Sequence, residues 1–361
     1  MTGITANPEL APGLDAPVEL PEDVQQEGGP GGPTAEDYDE SRRRRRWIAL
    51  LALLGLLLVL IGLALWYFIF RQPLPLPIPT TIDLPGYSTS FYGAANPLGI
   101  AVSPDGDRVY VAQTEGDRAV LIYAAGGAIV GTAVPPTSTG TDHVPVWMAI
   151  DPMSSELYVS DRPMGTIYVY DRDGAFLREV VLASRIPAWQ PMGLAFDAAG
   201  NLYVSDLSGP TARVEKFDRG LTLVQTFGES DRLSFPNGVA IDKDGNVLVA
   251  DSNNGRLLAY RADGTLLAQV GRGTGKGALA LPRGLTTDGR DRIYVGDSTG
   301  QGVLVYRLTD DVTPTLEYLG FFGGEGIADG RFSFPNGVAA DGRGRLYVSD
   351  TNNDRVQLWS Y

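Results

Sequence analysis

A short box, Pro-x-Gly, recurs along the chain, and its central residue differs from copy to copy. The box prolines are Pro97, Pro145, Pro191, Pro236, Pro282 and Pro335, and the second copy carries Trp147 in place of the glycine. The six central residues are Leu98, Val146, Met192, Asn237, Arg283 and Asn336. The first three are apolar and the last three are polar. An arginine between two amides suits a carboxylate or phosphate that is attached to an apolar group.

Residues that commonly carry catalysis or bind metals are scarce in this chain. His143 is the only histidine and there is no cysteine. These counts exclude thiol catalysis, thiolate metal sites and a histidine-based zinc site built from this chain alone. We therefore predict no catalytic residue, no metal ligand and no cofactor, and we interpret His143 as an inert loop residue beside Pro145.

Pairs of opposite charge also recur, with an aspartate at the end of one predicted strand and an arginine at the start of the next. The pairs are Asp206 with Arg213, Asp251 with Arg256, and Asp350 with Arg355. A catalytic group would be needed once, whereas a repeated pair suits a repeated structural bond. We predict that these pairs tie strands or neighbouring units together.

The elements that position these residues form a repeat of 45 to 53 residues. Each unit begins with the Pro-x-Gly box and continues through a turn such as Asp244-Gly245. A second box such as Tyr347-Val348-Ser349-Asp350 follows, and then a third strand such as Arg355 to Trp359. β-branched and aromatic residues dominate these segments, as is typical of strands. A period in the forties with about four strands per unit indicates a β-propeller blade.

Six such units predict an all-β, six-bladed propeller over residues 81–361. Residues 86–93 precede the first unit and have the pattern of a spare outer strand. Since an open ring would leave strand edges exposed, we expect this strand to complete the last blade. The six central box residues would then surround one mouth of the central channel.

The boxes resemble those of NHL-repeat proteins. The match is nearly continuous over Ser234 to Leu258 and Ser333 to Leu358, and the resemblance extends over about residues 86–361. It implies the propeller fold and leaves the function open, because propellers host many activities. Similar NHL propellers serve as the outer sensor domains of receptor-type serine/threonine kinases, but residues 1–46 are too short to be a kinase.

A second resemblance gives the alternative function. The Pro-Asn-Gly boxes at Asn237 and Asn336 are similar to those of gluconolactonase-like propellers, where asparagine and acidic side chains hold a divalent metal. This chain has no carboxylate at any of the six central positions, and Arg283 places a positive charge where the cation would lie. A metal-dependent lactonase or esterase is therefore the alternative and not the favoured interpretation.

An uncharged segment, residues 47–70, precedes the propeller. As a helix it would be about 36 Å long, enough to cross a bilayer core of about 30 Å. Arg42 to Arg46 lie directly before it and only Arg71 follows, so the positive-inside rule predicts a cytoplasmic N-terminus and an extracytoplasmic propeller. The length of the segment favours an uncleaved signal-anchor over a cleaved signal peptide.

Two segments flank the predicted membrane span. Residues 1–46 form an acidic tail that ends in the basic run, and we predict that it is disordered and cytoplasmic. Residues 71–80 alternate proline with apolar residues, which predicts a stiff stalk in the polyproline II conformation.

The sequence thus predicts a membrane-anchored, extracytoplasmic binding, scaffold or sensor module that recognises a protein, glycan or small ligand. The alternatives are the lactonase-like hydrolase and a structural subunit of an envelope assembly. The formal net charge of −14 argues against a nucleic-acid partner, which needs a basic surface. We expect a protein partner or surface ligand, with the lipid bilayer contacted through residues 47–70.

Overall fold

The computed structural model describes residues 35–70, 83–136, 142–182 and 189–361, with helix side chains over 42–65. The chain divides into two compact units, one that contains the helix and one that contains the strands. The predicted stalk (71–80) and residues 1–34 of the predicted tail lie outside the described residues.

The first unit contains one long helix, α1 (Ala35–Phe70). Its segment Arg42–Leu65 has a mean hydropathy of 3.1 in its most apolar window, and its side chains are exposed. By length and composition the helix could span a membrane. The helix begins at Ala35, so it includes residues 35–46 of the segment that is predicted to be a disordered tail.

The second unit is a six-bladed β-propeller of six four-stranded antiparallel sheets, which confirms the predicted fold. In chain order the strands are β1 (Gly86–Tyr92), β2 (Pro97–Val102), β3 (Arg108–Gln113), β4 (Val120–Ala124), β5 (Ile129–Ala133), β6 (Pro145–Ile150), β7 (Leu157–Asp161), β8 (Thr166–Tyr170), β9 (Phe176–Glu179), β10 (Pro191–Phe196), β11 (Leu202–Asp206), β12 (Arg213–Phe217), β13 (Leu223–Phe227), β14 (Pro236–Ile241), β15 (Val247–Asp251), β16 (Arg256–Tyr260), β17 (Leu266–Val270), β18 (Pro282–Thr287), β19 (Ile293–Asp297), β20 (Gly302–Leu308), β21 (Leu316–Gly323), β22 (Pro335–Ala340), β23 (Arg345–Asp350) and β24 (Arg355–Ser360).

Five sheets take their strands in sequence order, and the sixth combines both ends of the propeller. Blades 1 to 5 are β2–β5, β6–β9, β10–β13, β14–β17 and β18–β21. Blade 6 has the order β22, β23, β24, β1. The strand β1 pairs antiparallel with β24, with Phe91 opposite Val356. The outer strand of the last blade is therefore the first strand of the propeller.

The hydrophobic core lies between neighbouring sheets. One cluster joins Tyr110 and Ile122 of blade 1 to Met148 and Val159 of blade 2, all of them buried. The tyrosine of the second box is buried in each blade that has one, and its ring is held between two sheets. The large rings and β-branched side chains of the boxes thus fill the space between neighbouring sheets.

The glycine of the Pro-x-Gly box lets the innermost strands of adjacent blades approach closely. A Cβ at Gly284 would overlap the backbone carbonyl oxygen of Asn336 in the next blade, and a Cβ at Gly238 would overlap that of Arg283. The same overlap with the next blade would occur at Gly99, Gly193 and Gly337. Blade 2 departs from this rule because Trp147 replaces the glycine, and its side chain is buried with Val146 and Met192.

Candidate ligand site at the channel mouth

The six central box residues lie at the same end of the ring of innermost strands. Each innermost strand contacts its neighbours on both sides, so the six strands close around one axis. In every blade the box proline pairs with the last residue of the second strand, as Pro282 does with Asp297. The loop that follows each second strand therefore lies at this end too, beside the box.

One half of the mouth is apolar. Val146, Trp147 and Met192 form a buried cluster, and Leu98, Val144, Leu207 and Phe235 pack against it. All three apolar central residues that the sequence analysis identified are members of this cluster. The surface can therefore contact an apolar group without losing hydrogen bonds.

The other half is polar and is held by hydrogen bonds. Asn237 and Asn336 are 1% and 0% exposed. The amide Nδ2 of Asn237 donates to Ser252 Oγ at 2.6 Å, and that of Asn336 donates to Thr351 Oγ1 at 2.6 Å. The Oδ1 of Asn237 is buried and has no hydrogen-bond partner, whereas Asn336 Oδ1 accepts from Arg283.

Arg283 is the half-buried cation between these amides. Its Nη1 donates to Asn336 Oδ1 at 3.2 Å, and its guanidinium carbon lies 5.2 Å from the ring centre of Phe334. Its buried Nε has no hydrogen-bond partner. Among the described residues no carboxylate lies within 4.0 Å of its guanidinium. Burial, with a smaller effect from the charge of Arg162, lowers the pKa of Arg283, as expected of a cation that lacks a counterion.

Arg162 is a second arginine at this end of the ring, and it is not among the site residues predicted from the sequence. It follows Asp161, the last residue of β7. Its guanidinium carbon lies 5.3 Å from the ring centre of Phe235. It lines a cavity of about 240 Å³ together with Gln190, Pro191, Met192, Leu207 and Phe235. A comparison of the blades could have found it, since most blades carry serine or threonine at this position.

The predicted Asp–Arg pairs are present, and each aspartate also holds a loop. Arg213 Nη2, Arg256 Nε and Arg355 Nε each lie 2.7 Å from an oxygen of Asp206, Asp251 and Asp350 respectively. The other oxygen of each aspartate accepts a backbone N–H from the loop that enters the blade, at Gln190, Ser234 and Ser333. These carboxylates are buried, and they fix the loop that leads into the Pro-x-Gly box.

His143 is also buried, and its Nδ1 lies 2.7 Å from Asp161 Oδ2. Asp161 occupies in blade 2 the position of the aspartates just described, and its Oδ1 accepts the backbone N–H of Val144 at 3.2 Å. Within the described part of the chain, no group of three or more histidine, aspartate or glutamate side chains is placed to hold a metal ion. The amide oxygen of Asn336, which a lactonase-like metal site would use, already accepts a hydrogen bond from Arg283.

The chain contains NHL repeats, which the family comparison identifies at residues 233–260 and 332–358. These segments run from the loop before the box into the third strand of blades 4 and 6, and they include Asn237 and Asn336.

Several solved structures share the fold at low sequence identity. Virginiamycin B lyase from Staphylococcus aureus is 14% identical with a TM-score of 0.52, over 76% of this chain and 98% of that one. Hydrazine synthase from Kuenenia stuttgartiensis is 14% identical with a TM-score of 0.51, over 80% of this chain and 99% of that one. A protein of unknown function from Bacteroides thetaiotaomicron is 17% identical with a TM-score of 0.56, over 78% of this chain and 72% of that one. These likenesses show the propeller fold alone.

Proposed function

We propose that this protein is a membrane-anchored binding module whose propeller takes a small ligand at the channel mouth. The ligand has an apolar part and an anionic group. The observation that carries the proposal is Arg283, whose half-buried guanidinium has a free Nε and no carboxylate partner among the described residues. A cation that is removed from water without a counterion is costly, and an anionic ligand would offset that cost.

The apolar half of the mouth supports the proposal that the ligand has an apolar part. Met192, Leu207 and Phe235 line the cavity of about 240 Å³ beside Arg162. The usual small-ligand site combines such an apolar wall with a few converging polar groups. The unpartnered Oδ1 of Asn237 supplies one further acceptor for a ligand O–H or N–H.

Binding at the mouth is tested on the full chain in phosphatidylcholine nanodiscs. The probes are benzoate, benzyl alcohol and benzylamine, which share a ring and differ in charge, and isothermal titration calorimetry measures their dissociation constants. We expect benzoate to bind more tightly than the other two. Because a hydrogen bond to a charged group contributes about 1.5–3 kcal/mol, Arg283→Ala should weaken benzoate at least about tenfold.

The matched control is Arg261→Ala, since Arg261 is exposed in the turn after β16. It should leave benzoate affinity unchanged. Equal binding of the three probes, or an unchanged affinity in Arg283→Ala, would contradict the proposal. Failure of all three probes to bind would favour the scaffold function with an unoccupied mouth.

We propose that the propeller lies outside the cell and the N-terminus inside, because Arg42 to Arg46 precede the apolar segment. Because the chain has no cysteine, a single introduced cysteine can be labelled without background from other thiols of the protein. A Thr315→Cys variant should react with a membrane-impermeant maleimide on intact cells, and a Thr5→Cys variant should react only after permeabilisation. The reverse pattern would refute this orientation.

A further inference from the structure

Arg162 occupies a position where the other blades mostly carry a hydroxyl. The residue after the second strand is Thr114 in blade 1, Ser252 in blade 4, Ser298 in blade 5 and Thr351 in blade 6. The last three hydroxyls each donate to the box proline carbonyl of the next blade, at 2.5, 2.7 and 2.7 Å. Blade 3 carries Leu207 at this position and blade 2 carries the exposed Arg162, so the repeated structural bond does not account for the arginine.

The surroundings of Arg162 direct it towards the apolar half of the mouth. Its guanidinium lies over Phe235, and it lines the 240 Å³ cavity with Met192, one of the six central residues. A second cavity of about 570 Å³, lined by Val144, Trp189 and Gln190 among others, also borders on Arg162. The arginine therefore lies where a ligand in either cavity would contact it.

No carboxylate neutralises Arg162 within the described residues. The neighbouring Asp161 is buried, and its two oxygens already accept hydrogen bonds from His143 and from the backbone N–H of Val144. Arg283 likewise has no carboxylate within 4.0 Å among the described residues. The two arginines lie at one place in the mouth, since Arg162 lies over Phe235 and the backbone oxygen of Arg283 lies against Gly238, three residues further along. In a chain of net charge −14, this mouth thus collects two positive charges without an internal counterion.

We propose that the anionic group of the ligand is a phosphate monoester, bound by Arg162 and Arg283 together. This inference rests on the proposed function, and it adds the charge and class of the ligand. A phosphate monoester carries about −1.5 to −2 charges at pH 7 and three acceptor oxygens, which matches two guanidinium groups with free donors. Its organic part lies on Met192 and Phe235.

The test compares phenyl phosphate with benzenesulfonate, a monoanion of similar size, on the full chain in phosphatidylcholine nanodiscs at pH 8. We expect phenyl phosphate to bind at least about tenfold more tightly, since one additional charge-assisted contact is worth about 1.5–3 kcal/mol. Its affinity should fall between pH 8 and pH 5, as its second ionisation near pH 6 is lost. Arg162→Gln should remove the preference, because it should weaken phenyl phosphate at least about tenfold more than benzenesulfonate.

The matched control is Arg118→Gln, because Arg118 is exposed in the corresponding loop of blade 1. It should keep the preference for phenyl phosphate, and the melting temperature of each variant checks folding. Equal affinity for the two probes, or a preference that survives Arg162→Gln, would overturn this inference while the proposed function stands. Binding of neither probe would overturn both.

A further arm distinguishes a soluble phosphate from a lipid headgroup. Nanodiscs that contain phosphatidate are compared with discs of phosphatidylcholine alone. A weaker apparent affinity for phenyl phosphate in the phosphatidate discs would support the phosphate site with membrane lipid as the source. An unchanged affinity would support the same site with a soluble ligand.

Discussion

The hydroxyl of Thr351 in blade 6 donates a hydrogen bond to the carbonyl oxygen of Pro97 in blade 1, at 2.7 Å and across 254 positions of sequence. The same hydroxyl accepts from Asn336 Nδ2 at 2.6 Å. Thr351 thus links the last blade to the first and orients an amide of the candidate site. Both partners are buried, so neither bond can be replaced by water without rearrangement.

We predict that Thr351→Val lowers the free energy of unfolding by about 1–3 kcal/mol, because the carbonyl oxygen of Pro97 and the amide of Asn336 each lose a buried hydrogen bond. Because valine retains the shape of threonine, the decrease in the free energy of unfolding measures the contribution of the two hydrogen bonds. Urea denaturation gives the value. Thr132→Val on the exposed face of β5 is the control and should change stability by less than about 0.5 kcal/mol. Equal effects of the two variants would contradict the role of Thr351.

Gly284 provides a test of the close approach between innermost strands. Its Cβ would overlap the carbonyl oxygen of Asn336, so we predict that Gly284→Ala destabilises the propeller by about 1–3 kcal/mol or more. Gly289, in the turn after β18, has open space around it, and Gly289→Ala should be close to neutral. Thermal unfolding of both variants makes the comparison. A Gly284→Ala protein as stable as the control would mean that neighbouring strands can move apart.

Asp350 and Asp329 allow a buried and an exposed partner of the same arginine to be compared. Asp350 is fully buried and bonds Arg355 Nε at 2.7 Å, whereas Asp329, 61% exposed, lies 3.4 Å from Arg355 Nη1. We predict that Asp350→Ala lowers the free energy of unfolding by about 3–5 kcal/mol, because it removes the buried counterion of Arg355.

Asp329→Ala is the control for that prediction. It should cost about 0–1 kcal/mol, as exposed ion pairs do. Chemical denaturation of the two variants separates these ranges. Similar losses would show that Arg355 does not depend on its buried partner.

Asp105 gives a pH dependence whose sign follows from its contacts. A hydrogen bond from Ser103 Oγ, one from the backbone N–H of Asp107 and the ion pair with Arg172 of blade 2 lower the pKa of Asp105 to about 2. Because the folded pKa lies below the unfolded one, the carboxylate stabilises the fold above about pH 4 and loses this effect as the pH falls towards 2.

The wild-type protein should therefore be more stable than Asp105→Asn at pH 7, and the difference should shrink between about pH 4 and pH 2. The side chain is 39% exposed, so we expect the difference to remain below about 1 kcal/mol. Urea denaturation at pH 7, 4 and 2 measures it. A difference that grows on acidification would contradict the assignment.

The recurrence of the boxes was sufficient to predict the six-bladed fold. Pro236 and Pro335 open innermost strands because proline lacks an N–H, and each leads into a glycine that the next blade requires. The pattern also located the six central residues at strand starts, since an identical box in each blade must occupy an identical place in the ring.

The remaining features of the site depend on contacts that a repeat pattern does not contain. Arg283 bonds Asn336 and not Asn237, although it lies between them in the order of blades. Arg162 enters from a loop that belongs to no box. Phe235 and Phe334 reach the two arginines from a backbone at positive φ, 57° and 60°, which is uncommon for a residue with a side chain. The positions of these side chains depend on the packing between blades.

The pairing of β1 with β24 has a consequence for the order of biosynthesis. β1 is the first propeller strand to be made and its partner is the last. At a synthesis rate of about 5–20 residues per second, β1 waits on the order of tens of seconds for that partner. During this time the nascent chain exposes an unpaired strand edge, which chaperones can recognise. A chain that terminates before Arg355 keeps that edge, so the ring closes only after β24 has been made.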